Sequence, residues 1–194
     1  YSGIPVVRYG DVTECQQGAA TYKLGNGTFL YDIALNGETS FIVPDGVTKI
    51  DEKAFYNCST LESITIPASV TSIGKNAFYG CSGLREVRIS DVAAYCGISF
   101  ANSYAIPFWY AKELYVNDIL VSDLAVPEGI VNLHSQAFYS CTNITTVSIP
   151  ATLRSGVEGL AHCPNLADIA LADGNPYYRM HDGILTDAAA RTVY

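Results

Sequence analysis

A chain of 194 residues with 49% hydrophobic and 15% charged residues can bury a sizeable core, which excludes the disordered class. Eleven Lys and Arg against 19 Asp and Glu give a formal net charge of -8, a field that repels phosphate backbones and anionic lipid, so a nucleic-acid partner is excluded. The first residue is Tyr1 and no basic-then-apolar leader follows it, so the chain is expected to be a processed or excised piece of a longer protein. Residues 1–28 are assigned only as an N-terminal segment or cap. Residues 29–43 read as a hairpin turning at Asn36-Gly37 and leading through Phe41 and Val43 to Pro44.

From Pro44 the chain repeats. Residues 44–66, PDGVTKIDEKAFYNCSTLESITI, are followed at once by residues 67–89, PASVTSIGKNAFYGCSGLREVRI, a period of 23. Each unit ends in L-x-x-I-x-I or its Val variant, as Leu61, Ile64 and Ile66, then Leu84, Val87 and Ile89. The alternation places Ile64 and Ile66 on one face and Ser63 and Thr65 on the other, the pattern of a half-buried strand. The proline after each strand cannot pair centrally and marks a corner.

Residues 90–126 interrupt the repeat. Residues 92–111 are uncharged, but Ser99, Asn102, Ser103 and Pro107 lie among them and no membrane insertion is expected. A short helix capped by Asp91 is predicted here, then a hairpin turning at Asn117-Asp118, with re-entry through Leu124, Ala125 and Val126. Residues 127–149 restore the full repeat, and residues 150–171 give a copy one residue shorter. In that last copy Gly159-Leu160-Ala161-His162 replaces A-F-Y-x, which predicts a distorted turn. Residues 172–194 are set apart as a terminal segment, and the natural protein is expected to continue past Tyr194.

One unit cannot close its own core, whereas units stacked with parallel strands can, which predicts a solenoid over residues 29–171. Six rungs are expected, at 41–43, 64–66, 87–89, 124–126, 147–149 and 169–171. At ~4.8 Å per rung the sheet would extend roughly 25 Å along the stack.

The strand ending, the period and the A-F-Y-x-C-S/T-x-L wording resemble the BspA-like class of bacterial leucine-rich repeats. The resemblance implies a leucine-rich-repeat solenoid with a parallel β-sheet on one face and short turns or helical segments on the other. It also implies two hairpin-containing irregular repeats and a closing hairpin over residues 172–194. For function it implies a non-enzymatic, extracellular or cell-surface module that binds a protein partner in adhesion or host interaction. The alternative is a structural spacer arm or assembly subunit presenting another domain.

Six cysteines, none closer than 15 residues to the next, exclude a zinc ribbon and a C-x-x-C centre. Cys58, Cys81, Cys141 and Cys163 share one repeat position and are expected to stack as a buried ladder of thiols, alongside a ladder of Phe55, Phe78 and Phe138. His134, His162 and His181 have no nucleophile at a triad's spacing, no Gly-rich phosphate loop is present, and neither a cofactor nor a metal is expected. No closely spaced acidic loop builds a calcium site from Glu86, Asp123 and Asp168.

Two surfaces are candidates for binding. The solvent-facing strand positions give the columns Ser40, Ser63, Glu86, Asp123, Thr146, Asp168 and Ile42, Thr65, Arg88, Ala125, Ser148, Ala170. They read either as a docking face for a basic partner or as an ordinary solvated sheet. The second surface is an aromatic cluster holding Tyr104, Phe108, Trp109 and Tyr110, which either anchors a partner or fills the core beneath the insertion. Asn26, Asn57 and Asn143 begin N-x-S/T sequons, read as coincidences of polar turns.

Overall fold

The computed structural model describes residues 20–24, 27–31, 35 and 38–188. Their chain order is β1 (Ala20–Leu24), β2 (Gly27–Tyr31), β3 (Ser40–Ile42), β4 (Lys49–Ile50), β5 (Ser63–Ile66), β6 (Ser72–Ile73) and β7 (Glu86–Ile89). Helix α1 (Val92–Cys96) and β8 (Ser99–Phe100) follow, then β9 (Glu113–Val116), β10 (Ile119–Leu120), β11 (Asp123–Ala125), β12 (Thr146–Ile149) and β13 (Asp168–Leu171). A terminal hairpin is formed by β14 (Tyr178–His181) and β15 (Ile184–Asp187).

The solenoid forms as the repeat dictates. Strands β3, β5, β7 and β9 lie parallel in one ladder, and β11, β12 and β13 in another. In β5 and β7 every second side chain is fully buried, Ile64 and Ile66, then Val87 and Ile89, while Ser63, Thr65, Glu86 and Arg88 look outward. Rung spacing brings Ser63 opposite Glu86 and Thr65 opposite Arg88, so identical repeat positions stack.

Two features differ from the expectation. The hairpin at Asn117-Asp118 does form, with both residues left-handed (φ 50° and 63°) as a two-residue turn requires. Its first arm, however, is a rung: Glu113 pairs with Glu86 and Leu114 with Val87. The open face therefore carries seven described parallel rungs rather than six, with β10 added antiparallel at the edge of β9. The column runs Glu86 to Glu113 and Arg88 to Tyr115 before it is interrupted, and Asp123 and Ala125 begin the second ladder. E-L-Y-V has the same in-out alternation as the repeat strands but lacks their Leu, because Ala111 fills that inward position.

The second feature is a ladder that accompanies the short turns of the opposite side. There β2, β4, β6 and β8 are parallel, with β1 antiparallel to β2. Asn132 and Ser155 make one further parallel bridge. Strands of two residues show no alternation that a sequence could reveal. The earlier hairpin turn, Asn36-Gly37, lies outside the described residues, and β2 pairs with β1 and β4, not with β3.

Helix α1 is capped as predicted: the Ala94 amide donates to Asp91 Oδ1 at 2.8 Å. The distorted turn of the last copy is a 3-10 helix, Val157–His162, entered through Gly156 at φ 96°. A Cβ on Gly156 would stand 1.8 Å from the Leu133 carbonyl oxygen, so no other residue fits there.

Phe55, Phe78 and Phe138 are all buried, but they form no single ladder. Phe55 and Phe78 stack at 5.2 Å with rings 6° from parallel. The Phe78 amide donates to Tyr104 as the Phe55 amide does to Ala77, which sets Ala105 at the next place in the row. A methyl cannot fill a phenyl site. Tyr95 and Phe108 supply the missing volume and meet Phe138 at 5.6 and 6.1 Å.

The insertion splits the cysteine row in the same way, into Cys58 with Cys81 and Cys141 with Cys163. Cys58 is half-buried rather than buried. The thiols of Cys81 and Cys163 donate to the carbonyls of Phe55 and Phe138 at 3.1 and 3.2 Å. No disulfide joins one described cysteine to another, and Cys15 lies outside the described residues.

Burial pushes Cys81 and Cys96 up to about 12 and Cys163 up to about 11, from an ordinary value of 9.0. Tyr95, buried with its hydroxyl on the Ala137 carbonyl, is also raised by burial. The unfolded chain therefore loses protons first. Stability is fully present below pH 9 and falls as pH rises toward 12. Urea midpoints measured from pH 7 to 11 are expected to decline only above about pH 9. A midpoint that stayed flat through this range would mean that the thiols are not buried.

Candidate functional site

The sequence places a tyrosine after each of the repeat phenylalanines Phe55, Phe78 and Phe138, and the fold brings these tyrosines into a row. Tyr56 stacks on Tyr79 at 5.1 Å, Tyr79 meets Tyr104 edge-on at 5.0 Å, and Tyr104 meets Trp109 edge-on at 5.6 Å. Trp109 stacks on Tyr139 at 5.6 Å, and Tyr139 contacts the His162 ring at 4.6 Å. Asn57, Gly80 and Ser140, each following one of these tyrosines, are left-handed (φ 60°, 78° and 58°) and turn the chain back so that the next residue, a cysteine, points toward the core. Tyr56 and Tyr79 are 43% and 39% exposed, so the row lies on the surface. Lys53 reaches over Tyr56 at one end, 5.8 Å from the ring centre.

The predicted aromatic anchors separate accordingly. Trp109 and Tyr104 are half-buried members of the row. Phe108 is fully buried and belongs to the core, which corrects its assignment as a binding residue. Tyr110 is half-buried and its hydroxyl accepts the Gly80 amide at 3.0 Å, which ties the insertion to the preceding unit.

On the open face the structure gathers a polar cluster around Arg88. Its Nε and Nη2 donate to Glu86 Oε2 at 3.1 and 2.8 Å, and Nη1 donates to Asp118 Oδ1 at 3.0 Å. The guanidinium lies 4.1 Å from the Tyr115 ring centre, and the Tyr115 hydroxyl donates to Glu113 at 3.1 Å. Arg88 thus pins the hairpin turn to the sheet, and Glu86 holds its pKa above the ordinary value. Asp123 and Asp168 stand exposed on the second ladder, separated from that cluster by the break between β9 and β11.

The break is bridged by a residue that the sequence reading treated as a coincidental sequon. Asn143 Oδ1 accepts the Leu114 amide at 3.0 Å, and its Nδ2 donates to the Leu114 carbonyl at 3.2 Å and to the Val121 carbonyl. The side chain takes the place of a missing strand neighbour, so its amide is committed to the fold.

His134 accepts the Gln136 amide on Nδ1 at 3.2 Å, and burial holds it below the ordinary histidine range. His162 rests on Tyr139, while His181 lies 3.6 Å from Asp182 in the terminal hairpin. Among the described residues no group of three or more His, Cys, Asp or Glu is arranged to hold a metal ion. No described helix is long and apolar enough to cross a membrane.

Tyr56, Tyr79, Tyr139 and His162 were missed as surface residues. The signal was present in the 23-residue recurrence of A-F-Y, which forces Tyr56 and Tyr79 into one row.

No curated protein matches the sequence. Among solved structures, a leucine rich cell surface protein from Faecalibacterium prausnitzii is 20% identical over 89% of this chain and 60% of its own, with a TM-score of 0.42. A leucine-rich repeat protein from Eubacterium ventriosum is 16% identical over 84% and 44%, with a TM-score of 0.42. The pneumococcal vaccine antigen PcpA is 15% identical over 88% and 52%, with a TM-score of 0.44. This chain therefore spans about half the length of each of these proteins. The model of the BspA type leucine rich repeat region matches residues 22–108 and 111–179 in six copies. With the repeated strand, corner and buried phenylalanine now located in the fold, the chain belongs to the BspA type leucine rich repeat family.

Proposed function

We propose that the chain is a non-enzymatic, protein-binding module of a bacterial surface or secreted protein, and that its open strand face engages a basic partner in adhesion or host interaction. The observation that carries this reading is the charge of the two outward columns. They hold Glu86, Glu113, Asp123 and Asp168 against Arg88 alone, and Arg88 is neutralised by Glu86 and Asp118. Small neighbours such as Ala125 and Ser148 leave Asp123 and Asp168 accessible, and Ile42, 72% exposed, adds an apolar contact at one end. Such a face steers a basic partner and fixes its register more than it supplies affinity.

Binding to a panel of extracellular host proteins, with a lysine-rich polypeptide as reference probe, tests the reading. Affinity is expected to fall with rising salt. Asp123→Ala and Asp168→Ala are each expected to weaken binding by about two- to tenfold, chiefly through slower association. A partner indifferent to both salt and these substitutions would remove the function from this face.

A further inference from the structure

The aromatic row differs from the open face in charge as much as in shape. The segments that build it, residues 54–61, 76–84, 92–111, 135–149 and 159–167, contain no Asp, Glu, Lys or Arg, in a chain with 11 basic and 19 acidic residues. The same segments carry exposed amides and hydroxyls instead, among them Asn57, Ser59, Ser82 and Asn165. We propose that this edge is a second binding site, separate from the protein-binding face, whose ligand is a neutral, extended oligosaccharide.

Three observations select that class. Neutrality disfavours an anionic ligand, since a phosphate, sulfate or uronate chain gains its affinity from cations, and among the described residues Lys53 is the cation that lies over a ring of the row. The row is one ring wide and repeats every 4.6 to 5.6 Å along the stack, which suits a linear polymer of repeating units. A globular partner would need a broad patch of roughly 800 Å² per side. An extended peptide would seek main-chain partners, but the amides of Phe55, Asn57 and Phe78 already bond to the next rung, at Ala77, Tyr79 and Tyr104.

A pyranose chain has what the edge lacks and accepts what it offers. Its hydroxyls pair with phenols, amides and serines, its C–H groups meet the outer edges of rings whose faces are turned to one another along the row, and it brings no charge to be matched. Each ring is already held by its neighbours, so binding orders little that is loose.

Trp109 is the single tryptophan of the chain and sits within the row, so its emission reports occupancy directly. Cellohexaose and chitohexaose are the neutral probes, the corresponding disaccharides test length, and hexagalacturonate tests charge. A saturable change in Trp109 emission is expected with at least one neutral hexamer, and about tenfold weaker binding for its disaccharide. Tyr79→Ala and Tyr139→Ala should each weaken hexamer binding by at least about tenfold, with Tyr79→Phe retaining most of it. Asp123→Ala with Asp168→Ala should leave it unchanged, so this proposal and the protein-binding reading fail separately. The proposal is overturned if no neutral hexamer binds at millimolar concentration, if the disaccharide binds as well as the hexamer, or if hexagalacturonate binds equally tightly. Should a tyrosine variant fail to fold, the length and charge comparisons on the unaltered chain still decide.

Discussion

Phe78→Ala is expected to lower the stability of the fold by about 3–5 kcal/mol, read as a shift in urea midpoint at unchanged slope. The phenyl ring is fully buried, stacked on Phe55 at 5.2 Å, and followed in the row by the small side chain of Ala105. Its backbone is fixed from the next rung by the bond to Tyr104. Neighbouring units are held at rung spacing by these bonds and cannot close onto the void, so the cavity cost adds to the lost transfer energy. Tyr79→Ala, one residue along but on the surface, is expected to cost under about 1 kcal/mol. A loss below about 1 kcal/mol for Phe78→Ala would place that ring outside the core.

Asn143→Ala is expected to cost about 2–4 kcal/mol, large for a polar residue that is only half-buried. Alanine leaves the Leu114 amide and the Val121 carbonyl without their partner at the break between β9 and β11, while the Leu114 carbonyl keeps its bond from the Val121 amide. Asn143→Asp is the sharper comparison. A carboxylate still accepts from Leu114, yet it donates to neither carbonyl and sets a charge against both. Hydrogen exchange at Leu114 should accelerate in both variants while exchange at Ile64 stays slow, because the opening is local to the break. Unchanged exchange at Leu114 would show that Asn143 does not bridge the ladders.

The aromatic edge, poor in charge, and the acidic strand face divide the surface into two chemistries. The repeat accounts for both. Position by position it sends Phe and Cys inward, Tyr to the edge and the small or acidic residue to the face, and stacking multiplies each choice along the rod.

The amino-acid sequence by itself determined the period, the inward set Leu61, Ile64, Ile66 and its copies, the Asp91 cap and the turn at Asn117-Asp118. These rest on local alternation and local backbone preference, which a short window carries. Only the tertiary structure decided that Glu113–Val116 is a rung, that the face splits before Asp123, and that Asn143 bridges the split. Which segment enters the sheet as the next rung depends on pairing with residues far away in sequence, here Glu86–Ile89, and Glu113–Val116 and Asp123–Ala125 follow the same alternation. The aromatic row lay between these cases. Tyr56 above Tyr79 follows from the period, but Tyr104 and Trp109 join it only because the insertion folds back to the same edge. Phe108 shows the converse: adjacent to Trp109 in sequence, it turns inward because Ala105 leaves a phenyl-sized space that some side chain must fill.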